Sequence, residues 1–234
     1  MIGVAVLEGM PLDAFKAILA HEYGHFSNQD TAGGGFALSV RRSLLLMIVG
    51  IARSGHAVPW NPAWWFARGF YKIFLRVSQG ASRLQEILAD RHAAEAYGGA
   101  AFVTGLKHVI ACDLGFEAHV NSEINQALKA KRPLQGLWSP PSAASDNPLQ
   151  LNEALERAPS AYDSHPAPSD RIRWVERMQR EPKVPPSGAD AWSIFRDRAY
   201  KEQEMTLFIY QRLAEQGVRP AKLPLLSKND GRAS

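Results

Sequence analysis

The stretch His21-Glu22-Tyr23-Gly24-His25 constrains this chain more than any other, because H-E-x-x-H does chemistry only when it lies on a helix. There, positions i and i+4 share one face, so both imidazoles can reach one Zn²⁺ while Glu22 serves as general base toward a metal-activated water. The flanking residues predict that helix. Leu12, Phe15, Ile18, Leu19 and Phe26 recur at helical spacing, Asp13 falls in the first turn, and no proline interrupts the segment after Pro11.

A catalytic zinc site of this type takes a third protein ligand, commonly a carboxylate, and keeps one position for water. Glu86 is the candidate. Ser82 and Gln85 read as a capping box that opens a second helix, the periodicity continues to Tyr97, and Gly98-Gly99 stop it. Glu86 and Asp90 then stand one turn apart on one face. Glu86 would bind zinc, and Asp90 would accept the free ring N–H of a ligand histidine, fixing its tautomer. Taken alone, an E-x-x-x-D pair is ordinarily a solvated helix face; downstream of H-E-x-x-H the metal reading outweighs it. His56, His92, His108 and His119 have no partner at ligand spacing and read as surface or core residues.

Three blocks in order carry a resemblance to a known family. They are Ala20 to His25 with Asn28 and Asp30; Ser82-Arg83 through Glu86 to Ala89-Asp90; and Ser164-His165-Pro166 followed by Arg171-Ile172. The chain resembles the M48 metallopeptidases, gluzincins that include HtpX-like, Ste24-like and Oma1-like enzymes, over roughly residues 3 to 180. The resemblance implies one Zn²⁺ per chain held by His21, His25 and Glu86, with Glu22 as base and Asp90 supporting a ligand. It also implies that His165 lies near the metal, where it stabilises the oxyanion or caps the zinc. From its own surroundings His165 reads as a loop histidine among Pro159, Pro166 and Pro168, and Arg171 as structural or near the cleft.

The expected fold is mainly α, an α+β gluzincin-type domain over residues 1–216 with most of its small sheet missing or upstream. Strand signal is confined to Gly3 to Leu7. Further helices are expected near 99–112, 116–130, 149–158, 170–180 and 192–215, with loops between, and residues 217–234 read as a disordered tail. Only 20 residues precede His21, so the chain reads as the C-terminal portion of a longer protein. It shows no signal-peptide pattern. Cys112 is the single cysteine, which excludes an intrachain disulfide and fits a reducing compartment.

Charge is unevenly spread within the net +4. Between Asp30 and Glu86 there is no acidic residue, while Arg41, Arg42, Arg53, Arg68, Lys72, Arg76 and Arg83 are basic. The same insert, residues 31–79, holds the uncharged run Leu44 to Ala52 and an aromatic cluster from Trp60 to Phe74. That run is too short to span a bilayer, since about 20 apolar residues are needed. A basic stripe beside aromatic bulk suits peripheral contact with an anionic membrane, with the catalytic domain on the cytoplasmic side. The competing reading is a helical pair packed on the core with its arginines in water. Nucleic acid is not expected as a partner, because no recognised binding module accompanies the charge. The sequence thus points to a zinc-dependent endopeptidase acting on protein or peptide substrates. A non-proteolytic, zinc-binding, membrane-associated scaffold or chaperone-like module is the alternative, and a plain helical domain with a chance motif the third.

Overall fold

A computed structural model describes residues 4–29, 34–138, 148–158 and 165–222. Its elements in order are a 3-10 helix Val4–Leu7, α1 (Leu12–Gln29), α2 (Gly34–Arg53), α3 (Pro62–Tyr97), α4 (Gly99–Ala130), α5 (Pro148–Glu156), α6 (Pro168–Met178), a 3-10 helix Ala191–Ile194, and α7 (Arg198–Glu215). The fold is mainly α, and no strand occurs among the described residues. The expected strand at Gly3 to Leu7 is instead a 3-10 helix over its described part. A strand needs a neighbour for its backbone groups, whereas here the chain closes locally, Glu8 N–H donating to Ala5 O and Met10 N–H to Leu7 O. The only sheet-like pairing among the described residues is a single bridge, Pro11 to Asp190.

Three other boundaries differ from expectation; one is the helix expected at 192–215, which is a 3-10 helix Ala191–Ile194 followed, past Asp197 at φ 60°, by α7 from Arg198. The helix bearing Glu86 does not start at Ser82. It starts at Pro62, with Asn61 accepting from the Ala63 N–H as N-cap, and runs unbroken to Tyr97. Ser82 and Gln85 fit a capping box only if the chain before them leaves the helix, and α3 instead continues through them and packs against α2. The end is as the sequence reads: Gly98 takes φ 89°, and its N–H caps Ala94 O. Likewise α4 continues through Gly115. One helical glycine costs about 1 kcal/mol, which the burial of Phe102 and Leu106 before it and Ala127 after it outweighs.

The chain divides into two compact units. The first gathers residues 1–17, 100–155 and 184–234. Its core is largely apolar, with one cluster joining Ala127, Leu134, Leu137 and Leu213, and its buried polar side chains are Glu123, paired with Arg132, and Thr206. At the edge of that cluster, Trp138 Nε1–H donates to Thr206 Oγ1 at 2.9 Å, and Leu134 N–H to the Tyr210 hydroxyl at 3.0 Å. The second unit comprises residues 18–99 and 156–183. It buries Leu44, Leu75, Ala89, Ala93, Ile172 and Val175 together with four polar side chains, His21, Gln79, Glu86 and Asp90. A core that admits two carboxylates and an imidazole needs a reason, since such groups are seldom buried unpaired. Of the expected tail, residues 217–222 are described; the remainder lies outside the described residues, as do residues 31–33 of the insert.

Candidate metal centre

Helix α1 brings His21 and His25 to one face, one turn apart, and α3 does the same for Glu86 and Asp90. The two helices approach closely at Gly24. A Cβ there would stand 3.1 Å from Ala89 Cα and 3.2 Å from Ala89 Cβ, so glycine on one side and alanine on the other let the ligand faces meet. The result is a tight cluster. The Nε2 atoms of His21 and His25 lie 3.0 Å apart, and Glu86 oxygens lie 3.2 Å from His25 Nε2 and 3.5 Å from His21 Nε2. Among the described residues this is the one His, Cys, Asp and Glu group with the makings of a cation site.

These spacings can be tested against zinc. Donor atoms arranged tetrahedrally at about 2.0–2.2 Å from Zn²⁺ stand roughly 3.4 Å from one another. The two Nε2 atoms are 3.0 Å apart, Glu86 Oε1 is 3.2 Å from one and Oε2 3.5 Å from the other, and one candidate ligand atom from each residue lies within 4.8 Å of the others, close to that spacing. Glu86 Oε2 adds a second observation: it is buried and accepts no hydrogen bond among the described residues, having only ion-pair neighbours at 3.5 Å. An orphaned carboxylate oxygen beside two imidazole nitrogens fits a divalent cation, which would satisfy it.

Asp90 is placed behind the histidine. Its Oδ1 is 2.9 Å from His21 Nδ1, so Nδ1–H donates to the carboxylate and Nε2 presents its lone pair to the cluster. Asp90 is also gripped by Arg171 of α6, Nε to Oδ2 at 2.9 Å and Nη2 to Oδ1 at 2.6 Å. Burial alone would raise the Asp90 pKa, but the Arg171 and then His21 hydrogen bonds outweigh it, and its carboxyl titrates below the ordinary range. For Arg171, burial works against the charge, yet Asp90 and then Glu86 hold the guanidinium protonated. At His25 burial is the largest influence and lowers the pKa; Glu86 opposes it, and His21 adds to it. A depressed histidine pKa keeps the lone pair available to a cation.

The remaining predicted residues lie at the edge. Glu22 is exposed on α1, near enough to His25 and Arg171 for its charge to act on both. His165 is solvent-exposed, and its Nδ1 donates to Glu86 Oε1 at 2.7 Å. Asp30 lies outside the described residues, and the Asn28 side chain is likewise not described. Arg171, which reads from sequence as structural or near the cleft, touches Asp90, Glu86 and His21 alike. Its place in the third block of the resemblance marks it in the sequence, but nothing there says that α6 turns it onto α3.

The site has the donor set of an H-E-x-x-H metallopeptidase on a mainly helical fold. Residues 4–179, most of the chain, match the model of peptidase family M48. The chain belongs to peptidase family M48, a family of zinc metallopeptidases acting on protein or peptide substrates. No curated protein and no solved structure matches it.

Proposed function

We propose that this chain is a zinc-dependent endopeptidase in which His21, His25 and Glu86 hold one Zn²⁺ and Glu22 is the general base. The observation that carries the reading is the convergence of the two Nε2 atoms on the buried carboxylate of Glu86, whose Oε2 accepts no hydrogen bond among the described residues. Zinc, when bound, polarises the peptide carbonyl and acidifies water. Glu22 takes a proton from the attacking water and returns it to the leaving nitrogen as the C–N bond breaks, so the enzyme ends each cycle unchanged. Its exposure suits this work, because the group must reach substrate, and H-E-x-x-H places it next to the ligands without making it one. Asp90 and Arg171 act indirectly: Arg171 fixes Asp90, and Asp90 fixes the His21 tautomer and ring.

His165 has two possible roles, distinguished by its proton count. With Nδ1–H donating to Glu86, a neutral His165 carries a lone pair on Nε2 and is suited to capping a cation. Only the imidazolium has a second N–H to offer a developing oxyanion.

Glu22→Gln tests the assignment. The variant is expected to keep its zinc and its helical circular dichroism while peptide hydrolysis falls by roughly 10²–10⁴-fold, the usual contribution of a general base. Hydrolysis within a few-fold of wild type at equal zinc content would remove Glu22 from this role. A zinc-loaded wild type that cleaves no peptide would favour the non-proteolytic scaffold.

A further inference from the structure

We propose that the α2–α3 hairpin docks on the surface of an anionic phospholipid bilayer, its exposed hydrocarbons settling at headgroup depth and its cationic side chains meeting the lipid phosphates. The proposal is independent of catalysis. On α3, Phe66, Phe70, Ile73, Val77 and Leu84 follow at i, i+4, i+7, i+11 and i+18, which is one seam of a helix. A seam of that spacing ordinarily faces a core. Here all five side chains are exposed, Phe66 and Val77 at 68% each, while the opposite side of the helix buries Ala67, Leu75 and Gln79.

The hairpin tip is built the same way. Trp60 is 80% exposed and Trp65 is exposed as well. Trp65 is held there by the turn itself: its Nε1–H donates to Pro59 O at 2.7 Å, and Asn61 both caps α3 and donates to His56 O at 2.7 Å. Arg68 stacks over the Trp64 ring at 5.2 Å. A turn stapled in this way has already met much of the entropy cost of ordering the Trp65 indole, which favours binding. Arg41, Arg42, Arg53, Arg68, Lys72 and Arg76 are exposed along the same hairpin.

Charge decides the occupant. A second copy seated on the seam would bring two surfaces together that each carry seven basic residues and no acidic one between Asp30 and Glu86, and they repel. Nucleic acid would answer the arginines and leave Phe66, Ile73 and Val77 in water. An anionic bilayer meets both needs in one layer, phosphates for the cations and the acyl boundary for the hydrocarbons. Long basic stems and indole rings suit that depth because each has an apolar body and a polar end. No described helix is long and apolar enough to cross a membrane, and the contact proposed is peripheral.

The test uses the full chain with vesicles of phosphatidylcholine alone and of phosphatidylcholine mixed with phosphatidylglycerol, at low and high salt. Wild type is expected to co-sediment with the mixed vesicles, weakly with neutral ones, and less as salt rises. At about 1 kcal/mol for each basic residue at the surface, the triple variant Arg68→Gln/Lys72→Gln/Arg76→Gln should partition roughly 100-fold less. The variant Trp60→Ser/Phe66→Ser/Ile73→Ser should lose at least about 10-fold at both salt concentrations, with unchanged helical circular dichroism. Brominated lipid in the mixed vesicles should quench wild-type tryptophan fluorescence, a measurement that needs no variant. Equal binding to neutral and anionic vesicles, or no quenching, would overturn the proposal. So would a soluble dimer that the serine variant converts to monomer, which would assign the seam to a second copy.

Discussion

The two halves of α3 reverse the usual sorting of side chains in opposite ways. Its N-terminal half turns Phe66, Ile73 and Val77 outward, while its C-terminal half takes Glu86 and Asp90 inward to 4% and 2% exposure. Exposed hydrocarbon forgoes about 25 cal/mol for each Å² left in water. A buried carboxylate forgoes several kcal/mol of hydration unless something compensates it. The second departure is the more expensive, and only there does the fold supply compensation, through His21, Arg171 and His165 around the two acids. The difference teaches how to read such exceptions. A buried charge with partners marks a site built into the core; an apolar seam left exposed marks one completed by something outside the chain.

If that contrast holds, the two halves should answer mutation differently. Arg171→Met strands Asp90 and Glu86, and removing one partner of a buried pair costs about 3–5 kcal/mol. Arg68→Gln, on the exposed half, should fall within about 0.5 kcal/mol of wild type. Urea unfolding of the metal-free chain measures both. Similar stabilities for the two variants would erase the distinction between compensated core and open surface.

A step down in size, Asp90→Ala should weaken zinc binding by about 10 to 100-fold without abolishing it, because His21 keeps its nitrogen but loses its orientation. Titration against a competing chelator reads this. Affinity unchanged from wild type would make Asp90 a structural partner of Arg171 alone.

The smallest effect sharpens the geometry between the helices. Gly24→Ala gains about 1 kcal/mol of helix propensity, but the new methyl meets the Ala89 backbone, which belongs to a long helix and cannot rotate away. Overpacking of this kind costs about 1–3 kcal/mol, so we expect a net loss of about 1 kcal/mol and weaker zinc binding. A variant more stable than wild type by the propensity gain would show that the two helices have room to spare.

Legibility in the sequence followed the range of the signal. His21 with His25, and Glu86 with Asp90, are pairs one turn apart, and helical periodicity alone puts each on a common face. That the two faces meet depends on Gly24 and Ala89, small residues whose spacing carries no local mark. Arg171 was harder still, lying 81 residues from Asp90, and its meaning depends on where α6 docks. The false start at Ser82 shows the opposite failure: a sound local signal, Ser followed by Gln three residues on, gave way to packing of α3 on α2. Val4 to Leu7 has strand-forming residues but, among the described residues, no strand to pair with, and propensity without a partner does not make a sheet.

The central claim is that Glu86 is buried in order to hold a metal beside His21 and His25. Its most direct test is the zinc content of purified wild type and Glu86→Gln after zinc loading and dialysis, read by elemental analysis. The account predicts one zinc per chain in wild type and far less in the variant, whose amide matches the carboxylate in shape but lacks its charge. A wild type that retains no zinc, or a variant that retains as much, would contradict it.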